Sequence, residues 1–192
     1  ILLEYAGRLL IGMYKPIETV GTAPGATANI VLPGIALIML VYGVSVAIGN
    51  IWGGKLADKF GPIKALTIIF GGLAAILIVF NVTAVNPIAA VITILIWGAF
   101  AFGNVPGLQV YVVTLAEKYT PDAVDVASGL NIAAFNVGIA LGAWAGGLIV
   151  VNAGLMHTPW VGAVIVLLAL ALTRYSGALD NKTQATAAAA SV

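Results

Sequence analysis

Cysteine is absent from the 192 residues of this chain. Its absence removes disulfides, thiolate metal sites and cysteine nucleophiles together. Charge is scarce as well: 8% of the residues are charged, against about a quarter in soluble domains. The net charge of +1 leaves no strong field to attract nucleic acid. Histidine occurs once, at His157, and no cluster of His, Asp and Glu stands ready to bind metal or exchange protons. The sequence therefore implies no enzyme, no cofactor and no metal site. No secretory signal is readable either, because Glu4 and Arg8 interrupt the opening apolar run.

What the chain has is apolar length. Hydrophobic residues make up 61% of it, more than a soluble core of this size could hide, so the solvent expected is lipid. Its 23 glycines fit that reading, since membrane helices tolerate glycine better than soluble ones. A membrane helix needs about 20 mostly apolar residues. Three charge-free runs are long enough. Thr19 to Gly54 begins with turn-like "TVGTAPGATAN" and then offers one span, Val31 to Trp52. Ala65 to Ala116 is broken by "NVTAVNP" and gives two. Val126 to Thr173 is broken by "NAGLMHTP" and gives two more. The expectation is an all-α, polytopic membrane helix bundle of five full spans plus a partial one at the N-terminus. The runs are too long, and do not alternate, as barrel strands would.

Basic residues orient these spans. The segment "GGKLADKFGPIK", 53 to 64, carries Lys55, Lys59 and Lys64. On the same side by alternation lie Lys118, Arg174 and Lys182, and the loops at 81–87 and 152–159 have no lysine or arginine. The positive-inside rule places the basic side and the C-terminus in the cytoplasm.

The same segment has a second meaning. Gly54, Leu56, Ala57, Asp58, Lys59 and Gly61 stand as G-x-L-A-D-K-x-G between two spans. This resembles the cytoplasmic signature of the major facilitator superfamily, G-x-L-a-D-[RK]-x-G-[RK], which recurs between the eighth and ninth helices. Pro62 and Ile63 stand where a basic residue is usual, with Lys64 one step on. Residues 106 to 150 resemble the tenth and eleventh helices of the arabinose-efflux and drug:proton antiporter branch, and "HTPWVGAVIVLLAL" the twelfth. The resemblance implies the C-terminal half of a twelve-helix carrier. In that frame residues 1–30 are a remnant of the seventh helix and an outer loop. Residues 31–176 are the five-helix half, and 177–192 are a disordered cytoplasmic tail. The first methionine is Met13, so the sequence reads as a piece of a longer protein.

The segment 53–64 is expected to be a loop between spans, its signature residues being Gly54, Asp58, Lys59 and Gly61. Gly54 lets helix ends approach, Asp58 can meet a helix N-terminus, and Lys59 can face phosphate headgroups. Polar side chains inside membranes mark cavities, so Asn104, Gln109, Asn131 and Asn136 are candidates to line a substrate cavity. They suit interhelical hydrogen bonds equally well. Gly138, Gly142 and Gly146 form a small-xxx-small stripe for helix packing. Trp97, Phe100, Phe102 and Trp144 can stack on a ligand or serve as anchors. No acid or base sits inside the five spans, so a proton-coupling group would belong to the missing half.

The function expected is an efflux-type secondary carrier of the sugar or drug class, working by alternating access in a bacterial inner membrane. Its partners would be the lipid bilayer, a small-molecule substrate and the N-terminal half of the same transporter, or a second copy. The rival reading is an orphaned half that persists as a transport-inactive remnant or scaffold.

Overall fold

The computed structural model describes residues 26–190. Five long helices account for almost all of them: α1 (Ala26–Phe60), α2 (Pro62–Thr83), α3 (Pro87–Tyr119), α4 (Val124–Ala153) and α5 (Thr158–Ala190). Single 3-10 turns, Pro121–Ala123 and Leu155–His157, precede α4 and α5. There is no strand among the described residues. Of the expected helix remnant and outer loop at 1–30, residues 1–25 lie outside them, and 26–30 are the start of α1. Four helical stretches among the described residues, at 62–83, 88–119, 121–153 and 155–183, are long and apolar enough to cross a membrane. α1 covers the remaining expected span, Val31 to Trp52, and is longer than expected at both ends.

The turns are sharp because the local sequence leaves little alternative. One residue, Gly61, separates α1 from α2, at φ 80°. That region disfavours any residue with a β-carbon. Pro62 then opens α2, where its missing N–H removes nothing from the helix. Asn86 caps α3, its Oδ1 accepting from the Ile88 and Ala89 amides at 3.0 and 3.1 Å. Gly154, at φ 90°, ends α4.

Contacts along the helices fix their directions. Ser45 of α1 donates to the Leu95 carbonyl of α3. Gly49 then meets Ala99, and Gly53 meets Gly103. Both chains advance by four residues per contact, so α1 and α3 run parallel with one face of each in register. Between α2 and α5, Ile63 meets Gly177 and Leu77 meets Gly162, an antiparallel pairing. α2 and α3 are antiparallel too, from Leu66 against Gly107 to the Thr93–Thr83 hydroxyl bond of 2.9 Å. α2 is the central helix: Leu66 and Ile69 are fully buried, with Ala65, Phe70, Leu73 and Ala74 beside them.

In lipid, burying leucine against leucine gains little, so close approach must carry the packing. α1 and α3 provide it with two interlocking rows of small residues, Gly49–Gly53–Ala57 and Ala99–Gly103–Gly107. Large exposed apolar side chains cover the outside, Leu40, Ile48, Ile78 and Leu168 among them. Such a surface needs a bilayer or a partner to cover it.

Two expectations need correction. The segment 53–64 is not a loop: Gly54, Asp58 and Lys59 sit in the last turns of α1, and only Gly61 breaks the helix. Gly61 donates its N–H to the Ala57 carbonyl at 2.9 Å and accepts from the Ala65 amide at 3.1 Å, so a one-residue break suffices, and Gly61 supplies the backbone angle. Over 177–190 the expected disordered tail is helical instead, since α5 continues to Ala190. Its alanines are the best helix formers, and Lys118 Nζ and Tyr119 Oη donate to Asp180 Oδ1 at 3.0 and 2.9 Å, holding the extension against α3.

Candidate functional site

The end of the bundle that carries the signature is defined by antiparallel neighbours. The C-termini of α1, α3 and α5 meet the N-termini of α2 and α4 there. Lys55, Lys59, Lys64, Lys118, Arg174 and Lys182 all lie toward this end, while Asn86 and His157 belong to the other. Asp58 is exposed and makes no hydrogen bond or ion pair with a described residue. Lys59 places its ammonium 5.2 Å from the ring centre of Phe60. Gly54 approaches Pro106 at the distance of ordinary contact.

Deeper in the bundle the amides separate into two groups. Gln109 of α3 and Asn131 of α4 come together: Asn131 Nδ2 donates to Gln109 Oε1 at 2.7 Å. Gln109 Nε2 in turn donates to Ser128 Oγ at 2.5 Å. The result is a polar chain, Asn131 to Gln109 to Ser128, that ties α4 to α3. Ser128 was not among the residues singled out from sequence, although it stands three before Asn131 and so shares its helix face. Asn104 and Asn136 do not join. Their amides turn back to their own helices, to the Ala101 and Ile132 carbonyls, each at 2.9 Å. Asn104 is buried and Asn136 exposed.

A cleft of about 380 Å³ opens beside the polar chain, lined by Val105, Leu108, Gln109, Asn131, Ile132, Ala134 and Phe135. Asn131 Oδ1 accepts from no described residue, so an acceptor remains free at the cleft. An aromatic series continues from it: Phe135 packs edge-on to Phe102 at 6.3 Å, and Phe102 to Tyr42 at 6.4 Å. Trp97 and Phe100 pair with Tyr42 and Trp52, at 5.8 and 5.0 Å, while Trp144 is exposed.

The glycine stripe of α4 divides: Gly146 is buried, whereas among the described residues nothing stands within 4 Å of a β-carbon placed at Gly138 or Gly142. Gly142 and Gly146 border a second, apolar cavity of about 360 Å³ between α2, α3, α4 and α5. The close glycine packing is made by α1 and α3 instead. Its signal, Gly49-x-x-x-Gly53 facing Ala99-x-x-x-Gly103, was present in the sequence. Among the described residues no group of three or more His, Asp or Glu could hold a metal ion.

The sequence model of the Major Facilitator Superfamily matches residues 1–190. The chain belongs to this superfamily. Among curated relatives, an uncharacterized MFS-type transporter of Bacillus subtilis (strain 168), YtbD, is 51% identical over 148 residues, covering 77% of this chain and 37% of the relative. The inner membrane transport protein YdhP of Escherichia coli (strain K12) is 37% identical over 153 residues, 78% of this chain and 37% of the relative. A further uncharacterized MFS-type transporter of B. subtilis, YfhI, is 32% identical over 156 residues, 78% of this chain and 36% of the relative. This superfamily member therefore spans little more than a third of the length of these relatives. No solved structure matches it. Membership and the apolar helices together make it an integral membrane protein, and these relatives are named as transporters or transport proteins.

Proposed function

We propose that the chain forms the C-terminal half of a secondary carrier of the efflux type, for a sugar or drug-like substrate, that works by alternating access. The observation that carries the reading is the polar chain Asn131–Gln109–Ser128 at the edge of an otherwise apolar cleft. Amides both donate and accept, so they match hydroxyls and polar drug groups without fixing a charge. Inside a membrane such groups mark substrate paths. The rest of α4 supports a missing wall: Val137, Leu141, Trp144 and Leu148 are exposed. A second six-helix half would cover that face and close the cleft, with the two halves rocking about a midplane site. The basic end of the bundle is placed in the cytoplasm by the positive-inside rule, in a bacterial inner membrane.

The test is uptake of externally added fluorescent dyes and labelled sugars by everted membrane vesicles that hold the chain assembled with its N-terminal half. Asn131→Leu removes one link of the polar chain and Gln109→Leu both, and each should lower transport by about tenfold or more at equal expression. Unchanged transport in both variants would remove the cleft from the substrate path.

A further inference from the structure

A third depression, of about 460 Å³, lies at the basic end between α2 and α5. Lys64, Thr67 and Ile68 of α2 form one wall, and Arg174, Ala178 and Asn181 of α5 the other. The spacings i, i+3, i+4 and i, i+4, i+7 put each set on one helix face. The floor is the contact of Ile63 with Gly177, close enough that a β-carbon at Gly177 would stand 2.9 Å from Ile63 Cγ2.

The register of the pair sets the depth of the charges. Ile63 lies opposite Gly177 and Leu77 opposite Gly162. Lys64 is therefore level with residue 176, two residues from Arg174, which is about 3 Å along the axis at 1.5 Å per residue. Two cations thus border one groove at nearly one depth. Neither has an ion pair or hydrogen bond with a described residue. Asp180, the acid on the same stretch of α5, is engaged by Lys118 and Tyr119 on α3. Thr67 is turned to its own helix, donating to the Ile63 carbonyl at 2.8 Å.

Toward the membrane the same two faces become apolar. Ile68, Gly71 and Ala75 follow Lys64 on α2, while Ala171 and Leu167 precede Arg174 on α5. Ile68 and Leu167 are 48% and 46% exposed, and nothing fills the space over Gly71. Paired positive charge at the rim with a smooth apolar track beneath it matches a molecule whose anionic head and hydrocarbon tail are joined. A soluble anion has no use for the track, and an acidic protein segment none for its direction into the bilayer.

We propose that this groove binds an anionic phospholipid, with its phosphate between Lys64 and Arg174 and an acyl chain along Ile68, Gly71 and Leu167. Basic pockets between membrane helices suit such headgroups. Binding needs only a bilayer around the bundle and does not depend on transport. It would brace α5 against α2 at the end where α5 leaves the membrane.

Native mass spectrometry of the detergent-purified chain tests this, with dioleoyl phosphatidylglycerol and dioleoyl phosphatidylcholine added in parallel. The parent chain should retain phosphatidylglycerol in preference. Lys64→Gln/Arg174→Gln should weaken its retention by about thirtyfold and each single variant by about fivefold, the effect of one surface cation apiece. The Lys64→Arg variant should keep the preference, as should Lys55→Gln/Lys182→Gln. All the substituted side chains are exposed, and circular dichroism confirms folding before measurement. Equal retention by the double glutamine variant would overturn the proposal. So would an equal loss in Lys55→Gln/Lys182→Gln, which would mean a diffuse basic surface. Displacement of the lipid by millimolar inorganic phosphate would replace the lipid with a free anion and overturn it as well.

Discussion

Gly53 of α1 lies against the backbone of Gly103 of α3, so closely that a β-carbon on Gly53 would overlap the Gly103 carbonyl. The contact repeats one turn away, where Gly49 meets Ala99. These two positions set how near α1 comes to α3. A methyl group there must push backbone away, since no flexible side chain is present to yield. Gly53→Ala should destabilise the bundle by about 1–3 kcal/mol, the usual effect of overpacking. Gly138→Ala, which enters open space, should be neutral or slightly stabilising through helix propensity. Thermal unfolding in detergent compares the two, and equal melting temperatures would refute the contact.

The Gly61 hinge makes a separate demand. Its φ of 80° is a backbone requirement and involves no neighbour, because nothing lies within 4 Å of a β-carbon built there. Gly61→Ala should cost about 1–3 kcal/mol by strain alone. No enlargement of the surroundings can relieve this, so a second substitution near Gly61 should not rescue it. Recovery of the parent melting temperature by a neighbouring small-for-large change would contradict the strain argument.

Asp58 has no partner among the described residues and is exposed at the end of α1. Asp58→Asn should change the stability of this chain by no more than about 0.5 kcal/mol, as surface substitutions do. In the assembled carrier the same change should impair transport, because the signature aspartate is expected to meet the opposite half. Parallel melting and vesicle-uptake measurements separate these effects. A large loss of stability in the chain alone would mean that Asp58 has a structural role within this half.

Orientation can be read chemically. Lys59 lies at the basic end and His157 at the opposite end. The chain has no native cysteine to confuse labelling. An impermeant thiol reagent applied to intact cells should label His157→Cys and spare Lys59→Cys. The reverse pattern would place the basic end outside.

The extension of α5 beyond the bilayer rests on polar contacts. Lys118 and Tyr119 hold Asp180 at 3.0 and 2.9 Å on an exposed surface. Exposed pairs weaken with salt. Hydrogen exchange over residues 177–190 should therefore quicken in Asp180→Asn and, in the parent, at high salt. Exchange unaffected by either would show that alanine propensity alone keeps this segment helical.

Composition and period determined much about this protein. Long charge-free runs of 52 and 48 residues, each with one interruption, leave helices as the available spans, because a backbone in lipid must satisfy its own hydrogen bonds. Basic residues gather at one end because alternate connections carry them. The spacing of G-x-L-A-D-K-x-G resembles the superfamily's signature, and the match of the family over residues 1–190 agrees with it. Gly61 and Pro62 were legible as a turn, since both act through the local backbone.

Which side chains meet was decided by tertiary structure. Four amides had the same credentials in the sequence, yet Gln109 and Asn131 join while Asn104 and Asn136 bond to their own helices. Two glycine rows had equal spacing, yet the row on α1 is closed by α3, while on α4 Gly146 is buried and Gly138 has nothing against it among the described residues. Composition cannot rank such alternatives, because an amide or a glycine carries no information about the rotation and register of the neighbouring helix. Register is settled only when small residues on α1 and α3 let two backbones touch along a common face. In lipid, where apolar burial gains little, that fit is what distinguishes one arrangement of greasy helices from another.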